Sequence, residues 1–210
     1  MPLELNNICS VNGNVTTYTY GVVGGGEHKV FRTDYANGKK SIKQERGFSG
    51  TTLPFALQII KDAQTLFIVE GEKCVLWCLK HDIPAISYRG GKANWSGTDW
   101  TALAGKEIRL LPDNNGREEF ITLAQYLADN IECEVVYEHY EPWENIPSGW
   151  DIADLDDYEA WVDFSSNQLQ EQYIEPSPST RSTGGVKLAN PIDCRSTPQI
   201  SHRFLSLIHI

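Results

Sequence analysis

The chain has 210 residues, 40% of them apolar, with a formal net charge of −10 and a pI near 4.9, the balance of a globular chain with room for one full domain and an appendage. No apolar run approaches the ~18–20 residues that cross a bilayer, and Met1-Pro-Leu-Glu-Leu-Asn6 lacks the basic start and apolar stretch of a secretion signal. Neither a membrane span nor export is expected, and an acidic balance argues against nucleic acid, whose phosphates are held by Lys and Arg.

The charge is unevenly spread, however. Residues 1–117 hold 14 Lys and Arg against 11 Asp and Glu. Residues 118–175 hold 16 acidic residues and no Lys or Arg, and residues 176–210 return to +3. The negative charge therefore belongs to one stretch, and the first half is mildly basic. The five cysteines (Cys9, Cys74, Cys78, Cys133 and Cys194) are odd in number and contain no C-x-x-C, which favours reduced thiols in a cytoplasmic setting. Cys74 and Cys78 share one helix face and read as small core residues.

Residues 1–52 read as a small antiparallel β unit. Val15–Tyr20, Lys29–Tyr35 and Ser41–Gln44 are rich in β-branched and aromatic residues, with turn signals at Gly24-Gly-Gly26 and Asn37-Gly38. Asn37-Gly-Lys-Lys-Ser41 lacks the upstream Gly and the following helix of a phosphate loop. Lys39, Lys40, Lys43 and Arg46, interleaved with Tyr18, Tyr20 and Tyr35, offer either a single-stranded nucleic-acid face or an ordinary solvated one.

From Leu53 the period changes. A short helix (53–63) precedes Thr65-Leu-Phe-Ile-Val69, a continuous apolar run that fits a parallel strand buried on both faces. Helix 72–82, strand 85–88, the loop Arg89-Gly90-Gly91-Lys92, helix 98–104, strand 107–111, helix 117–131 and strand 133–137 follow. A last helix ends near Phe164. Alternation of this kind specifies an α/β fold with an open, mainly parallel sheet flanked by helices over residues 53–164. Residues 165–210 read as a flexible, disordered linker and tail, open to being the start of a truncated domain.

In open α/β sheets, working groups collect outside the C-terminal strand ends. Glu70 follows the first apolar strand, Asp113 the third, and Asp151 and Asp154 follow the fourth after a loop. Carboxylates converging from separate strands suit Mg²⁺, which takes one or two of them plus phosphate oxygens and water. Glu72 opens a helix, where the dipole favours a carboxylate whatever its function, and it reads equally as structural or catalytic. Arg89-Gly90-Gly91-Lys92 combines close-approach glycines with two cations and suits a triphosphate or a nucleic-acid backbone.

Phe67-Ile-Val-Glu-Gly-Glu-Lys73, Leu110-Leu-Pro-Asp-Asn-Asn-Gly116 and Gly149-Trp-Asp-Ile-Ala-Asp154, in that order, resemble the Toprim domain of phage- and plasmid-type DNA primases and primase-helicases. The resemblance covers residues 60–160, and the strands around Lys39 and Lys40 resemble the β extension that precedes Toprim in many phage primases. It implies a Toprim nucleotidyltransferase that makes primers from NTPs on single-stranded DNA in phage or plasmid replication. A replicative helicase domain or protein would be its partner, and the cytoplasm of a bacterial host its setting.

The resemblance also implies roles. Glu70 and Asp113 are the catalytic pair and metal ligands. Asp151 and Asp154 complete a second cation site, and Mg²⁺ or Mn²⁺ is the cofactor. Lys73, Arg89, Gly90, Gly91, Lys92, Lys39 and Lys40 contact nucleotide or nucleic acid. The family's second Asp falls on Asn115, which brings a carbonyl oxygen but no charge. That departure opens an alternative: a weakened Toprim serving as a nucleic-acid-binding or assembly module.

Overall fold

A computed structural model describes residues 4–90, 94–114, 116–140, 147 and 149–178. Strands β1 (Cys9–Asn12), β2 (Val15–Gly21), β3 (Glu27–Asp34) and β4 (Lys40–Gln44) form an antiparallel meander in the order β1-β2-β3-β4. Alternate residues of a strand share a face, so Tyr18 and Tyr20 on β2 point the same way, paired across the ladder with Val30 and His28 on β3. All four are buried. The two tyrosine rings pack on Phe55 at 5.7 and 5.2 Å between centroids, and the small sheet shares one continuous core with the rest of the protein.

The second sheet has the order β6-β5-β7-β8-β9, built from β5 (Thr65–Ile68), β6 (Ala85–Ile86), β7 (Glu107–Leu110), β8 (Glu134–Tyr140) and β9 (Leu169–Tyr173). The first four are parallel and β9 runs antiparallel to β8. Helix α1 (Leu57–Ile60) precedes β5, α2 (Glu72–Lys80) links β5 to β6, α3 (Arg117–Asn130) links β7 to β8, and α4 (Tyr158–Asn167) precedes β9. The fold is mixed α/β: an antiparallel sheet beside a mostly parallel one flanked by helices.

Local chemistry explains the helices that position the site. In α3, Phe120, Leu123, Ala124, Leu127 and Ala128 are buried at helical spacing, while Glu118 and Glu119 sit in the first turn where the dipole favours them. Burying each Leu or Phe contributes about 1.5–3 kcal/mol. In α2, Cys74, Val75, Cys78 and Leu79 are buried. The helix ends in a Schellman turn, with Ile83 N–H donating to Cys78 O at 2.9 Å and Asp82 left-handed at φ 58°.

Several elements differ from expectation. Residues 98–104 form only a 3-10 turn at Thr101–Leu103, entered by Asp99, whose carboxylate accepts the Thr101 N–H at 2.9 Å. The 53–63 helix contracts to α1, preceded by Ala56 in the left-handed region. Two strands were not expected, β1 and β9. The supposed linker from residue 165 instead completes α4 and adds β9 to the sheet edge; the tail from 179 on lies outside the described residues. No helix among the described residues is long and apolar enough to cross a membrane.

Candidate active site

From β5 the chain crosses to β6 on one side, and from β7 to β8 on the other. Right-handed crossovers in opposite directions place α2 and α3 on opposite faces of the sheet. The gap outside the C-terminal ends of β5 and β7 is therefore the topological switch point, where such sheets bind ligands. Glu70 and Asp113 follow these two adjacent strands.

Backbone bonds carry the strands into the site. Val69 N–H donates to Ile86 O at 3.0 Å, and Leu111 N–H donates to Ile68 O at 2.9 Å. Beyond them the chain turns sharply: Gly116 N–H donates to Asp113 O at 2.9 Å. A side chain at Gly116 would collide with Glu70, since its Cβ would stand 2.5 Å from Glu70 Oε2. The Glu70 carboxylate thus lies against the Asp113–Gly116 turn, in space that only glycine leaves open. Buried Tyr88 borders the same place. Burial first, then the negative charges of Glu70, Asp113 and Glu119, raises its hydroxyl pKa.

The late acidic segment is tied to the same turn. Asn114 N–H donates to Trp150 O at 3.1 Å, and Asn114 Nδ2 donates to Pro147 O at 3.0 Å. Asp151 and Asp154 cap the 3-10 turn Ile152–Asp154: Asp151 Oδ1 accepts the Ala153 N–H at 2.9 Å, and Asp154 Oδ2 accepts the Asp151 N–H at 3.0 Å. The Lys73 ammonium stands 3.6 Å from Asp151 Oδ1 and 3.5 Å from Asp154 Oδ1. Burial works against this ammonium, but the two carboxylates outweigh it and its pKa is raised. The Cys74 thiol is raised by burial and by the nearby Asp151 and Asp113; like Cys78, it is a buried free cysteine.

Glu72 belongs to the joint between the sheets. Tyr20 Oη donates to Glu72 Oε1 at 2.5 Å. Burial raises the Glu72 pKa, with the Tyr20 hydrogen bond pulling the other way.

Arg89, past the end of β6, lies with its guanidinium carbon 4.7 Å from the Phe48 ring centroid and donates to Gln44 Oε1 at 2.9 Å. Gly90 is left-handed at φ 90°, and its carbonyl accepts from Asn94 Nδ2 at 2.7 Å. A crevice of about 250 Å³ opens here, lined by Gln44, Arg89, Asn94, Ser96 and Gly97. Asn115, Gly91 and Lys92 lie outside the described residues. Lys39 and Lys40 are exposed at the β3–β4 turn. Tyr18 and Tyr20 offer no stacking surface beside them, because alternation turns both into the core; Tyr35 alone of the three is exposed.

Among the described residues, no group of three or more His, Cys, Asp or Glu is placed to hold a metal ion. Glu70, whose carboxylate is seated against the Asp113–Gly116 turn, and Asp113 are the two carboxylates that a Mg²⁺ ion there would use, with phosphate and water taking its remaining positions. The late pair does not fit a second one, because Lys73 already faces both carboxylates. A larger open crevice, about 890 Å³, lies at the opposite edge of the sheet, where Thr65, Glu107 and Glu134 begin their strands. Its lysine, Lys106, donates to the Lys61 and Ala63 carbonyls at 2.8 and 2.6 Å, and no carboxylate of the switch point reaches it.

Sequence alone does not mark Gly116, Tyr88, Phe48 or Gln44 as site residues; Gly116 appears there only as the last residue of the Leu110–Gly116 motif.

No protein-family model matches the chain. No curated protein matches it. Among solved structures it is similar to the RNA polymerase domain (RPD) of Mycobacterium tuberculosis primase DnaG, with 13% identity and a TM-score of 0.46. The similarity covers 79% of this chain, which spans 62% of the length of that one.

Proposed function

We propose that this chain is a Toprim-type nucleotidyltransferase module of the DNA primase kind, joining nucleoside triphosphates into primers on single-stranded DNA in phage or plasmid replication. One observation carries the reading: Glu70 and Asp113 follow the two strands that flank the switch point, with the Glu70 carboxylate seated against Gly116. Bound there, Mg²⁺ supplies charge neutralisation for the triphosphate and a lowered pKa for the attacking hydroxyl. Glu70 and Asp113 would hold that ion, with Gly116 leaving the room in which the Glu70 carboxylate sits. Arg89, steadied by Phe48 and Gln44, contributes a cation at the adjacent crevice for phosphate oxygens. Gly90 adjoins Arg89, Gly91 and Lys92 follow in sequence, and Lys39 and Lys40 offer charge to the template backbone. A helicase domain or protein is the natural partner, because the acidic stretch leaves the module with little electrostatic affinity of its own.

A second reading is favoured by Asn115, which lacks the charge expected of the second Asp: a weakened Toprim that binds nucleic acid or an assembly partner without synthesis. The deciding assay offers single-stranded template, NTPs and Mg²⁺ or Mn²⁺ to the wild type and to Glu70→Gln and Asp113→Asn. Synthesis abolished in both variants is expected. Template binding with no synthesis, unchanged by either substitution, would establish the second reading instead. A sharp gain of synthesis in Asn115→Asp would identify the missing charge as the limiting feature.

A further inference from the structure

The Toprim resemblance implies a second cation at the late acidic pair, and the residues present disagree with it. Lys73 sits in the first turn of α2, three residues after Glu70, and its ammonium stands 3.6 and 3.5 Å from Asp151 and Asp154. Each carboxylate already accepts a backbone N–H, from Ala153 and Asp151 respectively. The frame around them is pinned as well: Trp77 Nε1, one turn further along α2, donates to Leu155 O at 3.1 Å, just past the capped turn. The partners are thus delivered by two elements that hold each other. A divalent ion binding these oxygens at the ~2.0–2.1 Å that Mg²⁺ requires would have to displace the ammonium.

We propose that Lys73 is a tethered cation that takes the place of a second divalent ion at Asp151 and Asp154, so that the divalent ion loads at Glu70 and Asp113 and not at the late pair. A lysine supplies charge without Lewis acidity, and it does so at any free Mg²⁺ concentration. The late acidic segment is then a fixed electrostatic brace for the α2 entrance, rather than a site whose occupancy follows the metal supply. The location of the loaded ion rests on the functional reading above; the part played by Lys73 is measured separately.

The test counts bound Mn²⁺ by electron paramagnetic resonance on the full chain, for wild type, Lys73→Met, Lys73→Arg and the double variant Lys73→Met/Asp151→Asn. Lys73→Met is expected to bind one more Mn²⁺ than wild type. The gain is expected to be absent in Lys73→Arg, which keeps the charge, and abolished in the double variant. Equal binding by wild type and Lys73→Met overturns the proposal. So does a wild-type protein that loses one Mn²⁺ on Asp151→Asn alone. Thermal melting checks that Lys73→Met is folded, and Lys73→Gln replaces it in the same count if it is not. Glu70→Gln tests the other site by itself: Mn²⁺ binding unchanged there sinks the functional reading, while the gain at Lys73→Met still stands or falls alone.

Discussion

Gly116→Ala isolates the contact on which the candidate site depends. The added methyl carbon would stand 2.5 Å from Glu70 Oε2, whereas ordinary contact begins near 3.4 Å, so the carboxylate must retreat by about 0.9 Å. Gly116 has φ −106°, a backbone that alanine adopts without strain, and the obstructing atom is the end of a flexible side chain. The fold should therefore survive, with stability unchanged or raised by up to about 1 kcal/mol through the stiffer unfolded chain. The site should not survive intact. A shift approaching 1 Å at a reacting group costs on the order of 10²-fold in rate, and a displaced ligand support typically costs about 10–100-fold in metal affinity.

Mn²⁺ titration, primer synthesis and a thermal melt on the same preparation separate these effects. Gly71→Ala is the control: it adjoins Glu70 in the chain, yet its added carbon meets nothing within 4 Å. The expected pattern is a folded Gly116→Ala protein with weakened Mn²⁺ binding and synthesis, beside a Gly71→Ala protein near wild type. Cation affinity and synthesis within twofold of wild type in Gly116→Ala would show that Glu70 is not held by this turn. The reasoning would then fail at its first structural step.

Three other outcomes follow from the packing. Burial pushes the Glu138 carboxyl up to about 7 despite the pull of Arg109. Between pH 4.5 and 7 the unfolded chain therefore releases a proton that the folded chain keeps, so stability falls as pH rises through that window. Urea melts across pH 4.5–8 should show Glu138→Gln gaining on wild type as pH rises, and parallel curves would refute the assignment. Asp82→Gly should stabilise by about 1 kcal/mol, since it removes a left-handed non-glycine residue and a carboxylate from the C-terminal end of α2; a lower melting temperature would contradict this. Tyr20→Phe should cost about 1.5–3 kcal/mol by stripping Glu72 of its hydroxyl donor, and a double-mutant cycle with Glu72→Gln should return a coupling above about 1 kcal/mol.

The elements legible in the sequence are those whose burial is written in consecutive residues. Leu66–Val69 is apolar without interruption and Ile108–Leu111 is broken only by Arg109, because both strands are covered by helices, and the acids after them stand at strand ends for the same reason. Strands β1 and β9 carry no such mark. Cys9-Ser-Val-Asn12 and Leu169-Gln-Glu-Gln-Tyr173 are edge strands with mostly exposed side chains, and they are held by pairing to β2 and β8 rather than by apolar surface. For β9 part of the attachment is ionic. Glu171 pairs with Arg109 of β7, which also bonds Glu138 at 2.6 Å and Glu107 at 2.8 Å. A buried arginine among three glutamates reads in sequence as ordinary solvated alternation.

The same division runs through the site. Glu70, Asp113, Asp151 and Asp154 could be placed because each follows a strand or opens a turn, which are properties of neighbouring residues. What the acids do depends on groups brought from far along the chain. Gly116 makes room for a carboxylate 46 positions earlier, Lys73 reaches acids 78 and 81 positions later, and Tyr20 meets a glutamate 52 positions away. Two of these contacts bear on the role a residue is given: Glu72, open in sequence between a structural and a catalytic role, meets Tyr20 at the joint between the sheets, and the late pair faces Lys73. Local spacing can name the carboxylates at a sheet edge; what each of them does is decided by long-range partners, as Lys73 is for Asp151 and Asp154.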